Sequence, residues 1–544
     1  MVPLFALGTP LLAAAQSATD KLLDSLFDDT FSGIHQLSWF DWAMMIPYFS
    51  VLLVLSMYGL HRYKVIYEYF KVKHKLNLPP ERYFSDAELP PVTIQLPLFN
   101  EQFVVKRLLD QTVKMRYPRD KFQIQVLDDS TDETAPYTRA LCEEYRAQGH
   151  NVEYVHRANR VGYKAGALEH GLTTATGELT AIFDADFLPP EDFLERTVHY
   201  FADPKVGVVQ TRWTHLNRDS NLLTEVQALL LDAHFVLEHG ARYGNGLYFN
   251  FNGTAGILRK AMIHDAGGWQ HDTLTEDSDL SYRAQLKGWR FVYVPSVECP
   301  SELPVETHAF QVQQQRWSKG LTQCAKKLWP LIGDSGSSRA IKIEAFFHLT
   351  PNISYPLMIV LSTFMLPVMI CRFYMGPLEM LLIDVPLIVA SFLSISLFYV
   401  IAQRELYPDN WKRSILLLPA LLATGVMLTL SNTKSVIEAL RGQVSGFVRT
   451  PKYAVHQGQK KVQNTKYRRR SGWLPYLELA AGSWFLCMVA YAIDTWNYLS
   501  IPFLMLFVCG YYWAGCSTLW QEWRLKLQFE KAQREANMAL EAAE

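Results

Sequence analysis

Apolar residues are distributed along this chain in two ways. Near the N-terminus and through the C-terminal part they form long runs, whereas between about 88 and 320 they come as short β-branched clusters separated by amphipathic stretches. About 20 apolar residues are needed to cross a bilayer as a helix. The runs at 42–60, 350–372, 382–402, 474–493 and 498–519 meet that length. A sixth, 415–431, is the shortest, is interrupted by Pro419 and Gly425, and is bracketed by Lys412, Arg413 and Lys434. The pattern predicts an in-plane or re-entrant helix there. Charge supports this. Asp20, Asp24, Asp28, Asp29 and Asp41 precede the first run, while Arg62, Lys64, Lys71, Lys73 and Lys75 follow it, which puts the following region in the cytoplasm. The stretch 449–470 is also strongly basic and belongs on the same side, which three intervening crossings would forbid.

The predicted order is therefore an extracytoplasmic segment over 1–41, a first span at 42–60 and a cytoplasmic domain over 88–320. Interfacial helices follow at 321–349, then a transmembrane hairpin at 350–402 and the in-plane or re-entrant helix at 415–442. A cytoplasmic loop and basic segment at 443–472, a second hairpin at 474–519 and a charged helical tail at 520–544 complete it. Residues 1–15 are apolar but short and lack a basic start, so a cleaved signal peptide and an extracytoplasmic helix both remain open. Within the cytoplasmic domain the clusters 92–96, 124–127, 181–183 and 206–209 alternate with helical stretches, which predicts an α/β domain with a mostly parallel sheet.

Composition agrees: 544 residues, 49% hydrophobic and 13% aromatic, suit one large domain plus several spans. The net charge of -1 singles out no partner, and no nucleic-acid binding is expected. The seven cysteines are scattered without a CxxC, so they predict buried or lipid-facing thiols and neither a disulfide framework nor a zinc site.

The chemistry lies at the strand ends, where α/β sheets bind ligands. Asp128 and Asp129 directly follow one cluster, and Asp184 and Asp186 directly follow another. Between them Gly162-Tyr163-Lys164-Ala165-Gly166 offers close backbone approach and a point charge suited to phosphate. The spacing of Asp184 and Asp186 lets one carboxylate reach a ribose or metal-bound water while the other ligates Mg²⁺ or Mn²⁺, which hard oxygen donors favour over zinc. Further on, Asn252-Gly253-Thr254 forms a turn-like cluster, and Thr275-Glu276-Asp277 offers a helix cap at Thr275 and a carboxylate facing an acceptor hydroxyl at Asp277. Gln313, Arg316 and Trp317 fall on one helix face, combining a guanidinium for a diphosphate with a flat ring for a sugar.

Taken in order, these motifs resemble the membrane-embedded processive enzymes of glycosyltransferase family 2, the cellulose synthase group. The likeness is closest to the cellulose-synthase-like mannan and glucan synthases and their bacterial relatives, and it covers about 95–452. It implies a GT-A domain joined through interfacial helices to an α-helical transmembrane region. Asp128, Asp129, Lys164, Asp184 and Arg316 would bind the nucleotide sugar, Asp186 with Asp184 would hold the metal, and Asp277, with Glu276 beside it, would be the catalytic acid pair with Asp277 as base. Gln313 and Trp317, with Asn252, Gly253 and Thr254, would frame the acceptor. Phe447, Thr450 and Lys452 match a gating loop of pattern Phe-x-Val-Thr-x-Lys, with Arg449 where that pattern has Val.

The function so implied is an inverting, processive transfer of hexose from UDP-glucose or GDP-mannose to a β-glycan that passes through the bilayer, in a bacterial inner membrane. Channel-facing aromatics are sought among Trp484, Tyr491, Trp496, Tyr498, Tyr511, Tyr512 and Trp513. The alternatives are single transfer to a lipid acceptor, and a transporter or scaffold with a degenerate domain. Export subunits are left unknown.

Overall fold

The structure, a computed structural model, describes residues 36–157, 159–373, 377–443, 446 and 472–541. The gating-loop residues Phe447, Thr450 and Lys452, the basic stretch 449–470 and residues 1–15 lie outside the described residues.

Seven strands form one sheet in the order β3-β2-β1-β4-β6-β5-β7: β1 Val92–Leu98, β2 Phe122–Asp128, β3 Val152–His156, β4 Leu179–Ile182, β5 Val206–His215, β6 Gly256–Arg259 and β7 Arg290–Ser301. Only β6 runs against the others. Strand β1 explains why the sheet sits where it does. Val92, Ile94, Leu96 and Leu98 alternate into one apolar core with the helices Gln102–Thr112 and Thr134–Ala147. The other face meets a second core built on the Tyr163–Leu172 helix. Polar residues on that face are paired rather than exposed: Thr93 Oγ1 donates to Gln123 Oε1 at 2.8 Å and Gln95 Nε2 to Gln125 Oε1 at 3.1 Å, and Gln125 Nε2 donates to Glu153 Oε2 at 2.9 Å. This ladder satisfies buried groups that would otherwise be costly.

Among the described residues five helices are long and apolar enough to cross a membrane: Trp39–Lys75, Pro351–Arg372, Val385–Leu406, Leu474–Asp494 and Tyr498–Arg524. The segment around 415–431 forms a pair, Lys412–Met427 and Thr429–Leu440, bent by 42° at the break. The chain is thus a membrane protein with a mostly parallel α/β domain. No break occurs at 320: the Gln313–Trp317 element lies within one helix, Thr307–Asp334. That helix is tied to the membrane region by Lys319 Nζ donating to Glu438 at 2.8 Å and Gln311 Nε2 donating to Glu478 at 3.0 Å. All seven cysteines are free thiols; Cys142, Cys299, Cys324 and Cys371 are buried, while Cys487, Cys509 and Cys516 are exposed on the last two apolar helices.

Candidate active site

The carboxyl ends of the strands converge on a cavity of about 170 Å³. Phe99 and Glu101 reach it from the end of β1, Asp129 from β2, Arg160 from the turn after β3, Lys164 from the start of the Tyr163–Leu172 helix, Asp184 and Asp186 from β4, and Glu302 from β7. Glu276 and Asp277 enter from the start of the Glu276–Leu286 helix, and Gln313, Arg316 and Trp317 from the long helix opposite. Residues far apart in sequence are thus gathered at one point, as expected for a parallel sheet.

Two glycines make that assembly possible. Gly253 has φ +81, and a Cβ there would lie 2.8 Å from Asp277 Oδ2. At Gly320 a Cβ would lie 2.6–2.8 Å from Thr275, so the long helix reaches the acidic turn only because this residue lacks a side chain. Gly253→Ala is expected to cost at least about tenfold in turnover, since the left-handed backbone and the crowding both push Asp277 away from its position. Initial rates, compared at equal recovery of folded protein, check this.

The polar contacts divide the predicted residues. Lys164 Nζ donates to Asp184 Oδ1 at 2.5 Å and to the Gly253 carbonyl at 2.9 Å, so it pins the two acidic loops together. Asp129 is held by a two-pronged Arg157, whose Nε donates to Oδ1 at 2.8 Å. Asp128, read from the sequence as a nucleotide ligand, does not line the cavity. It is fully buried, with Oδ1 accepting from the Ser130 backbone N–H at 2.8 Å and Oδ2 from the Tyr154 hydroxyl at 3.0 Å. Thr254 is likewise withdrawn: its Oγ1 accepts from the Asp184 backbone N–H at 2.9 Å and so braces that loop. Thr275 does not cap the helix by its side chain; its hydroxyl faces Cys324 Sγ at 3.3 Å.

Three acids begin the Glu276–Leu286 helix. Asp279 is neutralised by Arg283 at 2.7 Å and Lys327 at 2.9 Å. Asp277 instead has its carboxyl pushed up to about 7 by burial and by the neighbouring charge of Glu276, against the opposing Ser278 N–H, Lys164 and Arg316. A carboxylate so poised suits proton abstraction near neutral pH.

Among the described residues seven carboxylates line the cavity (Glu101, Asp129, Asp184, Asp186, Glu276, Asp277, Glu302) against three cations (Arg160, Lys164, Arg316). An anionic ligand is repelled by that excess unless a cation accompanies it. Among the described residues no group of three His, Cys, Asp or Glu forms a ready metal cage. This donor set fits Mg²⁺ or Mn²⁺, which take one or two carboxylates and complete their shell with water and phosphate.

A second cavity, of about 300 Å³, adjoins the first, and Trp213, Leu231, Asn252, Thr275, Asp277 and Trp317 line both. It extends to Tyr58, His61 and Arg62 on the first apolar helix and to Phe347 and Pro351. None of the seven aromatics sought as channel walls lines either cavity. Tyr511 is buried against Phe485, and Trp496 and Tyr498 are exposed beside each other between the last two helices. The sequence reading also missed Arg157, Arg160 and the polar wall at His234, Glu238 and Arg242. A pair of histidines and an acid within the apolar run 234–239 was the signal for the last of these.

Comparison with known proteins gives a match to glycosyltransferase-like family 2 over residues 90–320. Glucomannan 4-beta-mannosyltransferase 2 of Arabidopsis thaliana is 43% identical over 249 residues, 45% of this chain and 47% of that protein. Glucomannan 4-beta-mannosyltransferase 1 of Cyamopsis tetragonoloba is 41% identical over 273 residues, 49% and 51% of the two chains. The chain spans about half the length of the curated relatives it matches. Among solved structures, a mannosyltransferase from Pyrobaculum calidifontis in complex with GDP-Man and Mn²⁺ aligns over 72% of this chain and 98% of its own, at 22% identity and a TM-score of 0.48.

Proposed function

Residues 90–320 are a family 2 glycosyltransferase domain, and from that premise we propose that the chain is an inverting membrane glycosyltransferase that adds hexose from a nucleotide sugar to a growing β-glycan. The observation that carries this reading is the position of Asp277 in the wall shared by an acidic cavity and a cavity leading to the membrane helices.

The acidic cavity is assigned to the donor and the second to the acceptor. The acceptor oxygen bonds to the anomeric carbon, the bond from that carbon to the diphosphate breaks, and the acceptor proton passes to the Asp277 carboxylate. One such displacement turns an α-linked donor into a β-linked product. Arg316 offers positive charge to the diphosphate, Lys164 can add its own once its partner Asp184 is taken over by a cation, and Trp317 offers an apolar face to the acceptor ring. Asp186 with Asp184 would hold a divalent cation, whose chemistry is to neutralise charge on the departing diphosphate.

GDP-mannose is the donor we favour over UDP-glucose, and a β-1,4 linkage follows, because the relatives are named glucomannan 4-beta-mannosyltransferases. Processive extension is supported by the second cavity, which runs from Asp277 to the first apolar helix and gives a polymer somewhere to go. A cytoplasmic orientation of the domain is supported by the basic residues that follow that helix.

The test is purified full-length protein in nanodiscs with Mn²⁺, given GDP-mannose and UDP-glucose separately, the products being sized and digested with linkage-specific hydrolases. A long β-mannan from GDP-mannose is the expected result; a single sugar on lipid would replace processive extension with the lipid-acceptor alternative. The raised carboxyl of Asp277 adds a pH dependence. A base must be deprotonated, so kcat/KM is expected to fall tenfold per pH unit below about 7 and to level off above it. Initial rates of nucleoside diphosphate release across that range check the sign.

A further inference from the structure

One wall of the second cavity is built by residues to which the transfer chemistry assigns no part. Residues His234–His239 form a single π-helical turn, a deviation frequent at functional sites. His234 and Glu238, with Arg242 beyond the turn, all line the cavity. His234 Nδ1 lies 2.8 Å from Glu238 Oε2, and Arg242 Nη1 lies 3.5 Å from the same oxygen. Arg242 Nε donates in turn to Glu344 Oε1 at 3.2 Å, and Glu344 Oε2 meets His61 Nε2 at 2.9 Å and Lys64 Nζ at 3.0 Å. On its other side His234 Nε2 lies 3.1 Å from Asn252 Nδ2. The histidine therefore bridges a chain of buried and part-buried charges and a residue that lines both cavities.

The polarity of this bridge is set at its Glu238 end by charge and at its Asn252 end by the orientation of the amide. Burial pushes the Glu238 carboxyl up, but Arg242 and His234 beside it hold it well below the usual range. An ionised carboxylate only accepts, so His234 Nδ1 carries the hydrogen, and because the group 3.1 Å from Nε2 is the donor Nδ2 of Asn252, Nε2 takes the accepting side in the neutral ring. Asn252 then turns its NH₂ toward His234, which leaves its carbonyl oxygen on the other side. That oxygen, Asn252 Oδ1, is buried and has no hydrogen-bond partner, and the same holds for Oδ1 of Asn250, which also lines the second cavity. A buried acceptor without a donor costs free energy unless a ligand supplies one. Both residues line the second cavity, into which a polyhydroxyl ligand would bring hydroxyl donors. Asn252 and Asp277 line both cavities together, so a hydroxyl donated to Asn252 belongs to a ring near the base.

We propose that His234 is a positioning residue for the acceptor: held by Glu238, it locks the Asn252 amide so that Oδ1 receives a hydroxyl of the terminal acceptor sugar. This rests on the transfer reading above and adds a residue that selects and orients the acceptor without touching the donor. An acceptor lacking a hydroxyl at that point loses the bond, so the pair also discriminates among acceptors.

The experiment uses the full chain in nanodiscs with Mn²⁺ and GDP-mannose, and β-1,4-mannotetraose as the acceptor probe, measuring acceptor KM, donor KM and kcat. His234→Ala is expected to raise the acceptor KM about tenfold, the size of one hydrogen bond to a sugar, with the donor KM moving less than twofold. His234→Gln keeps a donor toward Glu238 and an acceptor toward Asn252, and is expected to restore most of the acceptor KM. Asn252→Leu, which removes Oδ1 itself, gives the same split and keeps the proposal testable should His234→Ala fail to fold. An acceptor KM unchanged in both His234→Ala and Asn252→Leu, or donor and acceptor KM rising together, overturns the proposal. Wild-type protein that releases no nucleoside diphosphate from any nucleotide hexose overturns the transfer reading instead.

Discussion

Asp277→Asn is expected to lower nucleoside diphosphate release by about 10²–10⁴-fold, the usual contribution of a positioned general base, while donor binding is retained. The reason lies in what surrounds the residue. The other acid buried in the same turn, Asp279, is already neutralised by Arg283 and Lys327. Glu276 also lines the first cavity, but only Asp277 lines both. The same replacement is expected to stabilise the fold. The Asp277 carboxyl is raised from an ordinary 3.8 to about 7, so its proton is bound more tightly in the folded state. Wild-type stability from this group is therefore full below the unfolded value and is lost as pH rises through about 7. Asparagine does not ionise, so the melting-temperature gap between Asp277→Asn and wild type should open with rising pH and level off above about 7. Thermal melts at several pH values, set beside rates, distinguish lost chemistry from lost structure.

The second large effect concerns the divalent cation. Chelation is expected to abolish turnover, and Asp186→Asn to reduce it by about 10²-fold or more while raising the Mn²⁺ concentration needed for half-maximal rate. Among the described residues the cavity carries seven carboxylates against three cations; Arg157 pairs with Asp129, Arg107 with Glu302 and Lys164 with Asp184, so the remaining acids still outnumber the remaining cations. The donor's negative diphosphate thus meets a wall whose own cations do not balance its acids. Titration of Mn²⁺ and Mg²⁺ into chelated protein, for wild type and Asp186→Asn, measures the requirement. Equal metal dependence in the two proteins would remove Asp186 from the metal site.

Much of this was legible because function sits where pattern changes. The clusters at 92–96, 124–127 and 206–209 lie within β1, β2 and β5, and 181–183 overlaps β4, which ends at Ile182; the acids that follow β2 and β4 line the cavity at Asp129, Asp184 and Asp186. The five apolar runs correspond to the five helices able to span a membrane. Strands β3, β6 and β7 escaped for physical reasons: β3 reads Val152-Glu153-Tyr154-Val155-His156 and is only partly buried, β6 begins with Gly256 and ends with Arg259 and so shows no apolar run, and β7 contains Pro295 and Pro300 and forms the sheet edge, where proline is tolerated. Neighbouring acids could not be separated from sequence alone either. Asp128 turns inward to Ser130 and Tyr154 whereas Asp129, one residue on, reaches the cavity. The wall at His234, Glu238 and Arg242 was hidden because its roles depend on partners such as Asn252 and Glu344, distant in sequence.

The central claim is a single displacement at the wall shared by the two cavities, with Asp277 as its base. It is tested most directly by the anomeric configuration of the newly formed linkage when the purified chain is given an α-linked nucleotide hexose, read by NMR on the first products. A β linkage, absent from Asp277→Asn, is the predicted result. An α linkage, or equal product from Asp277→Asn, would contradict it.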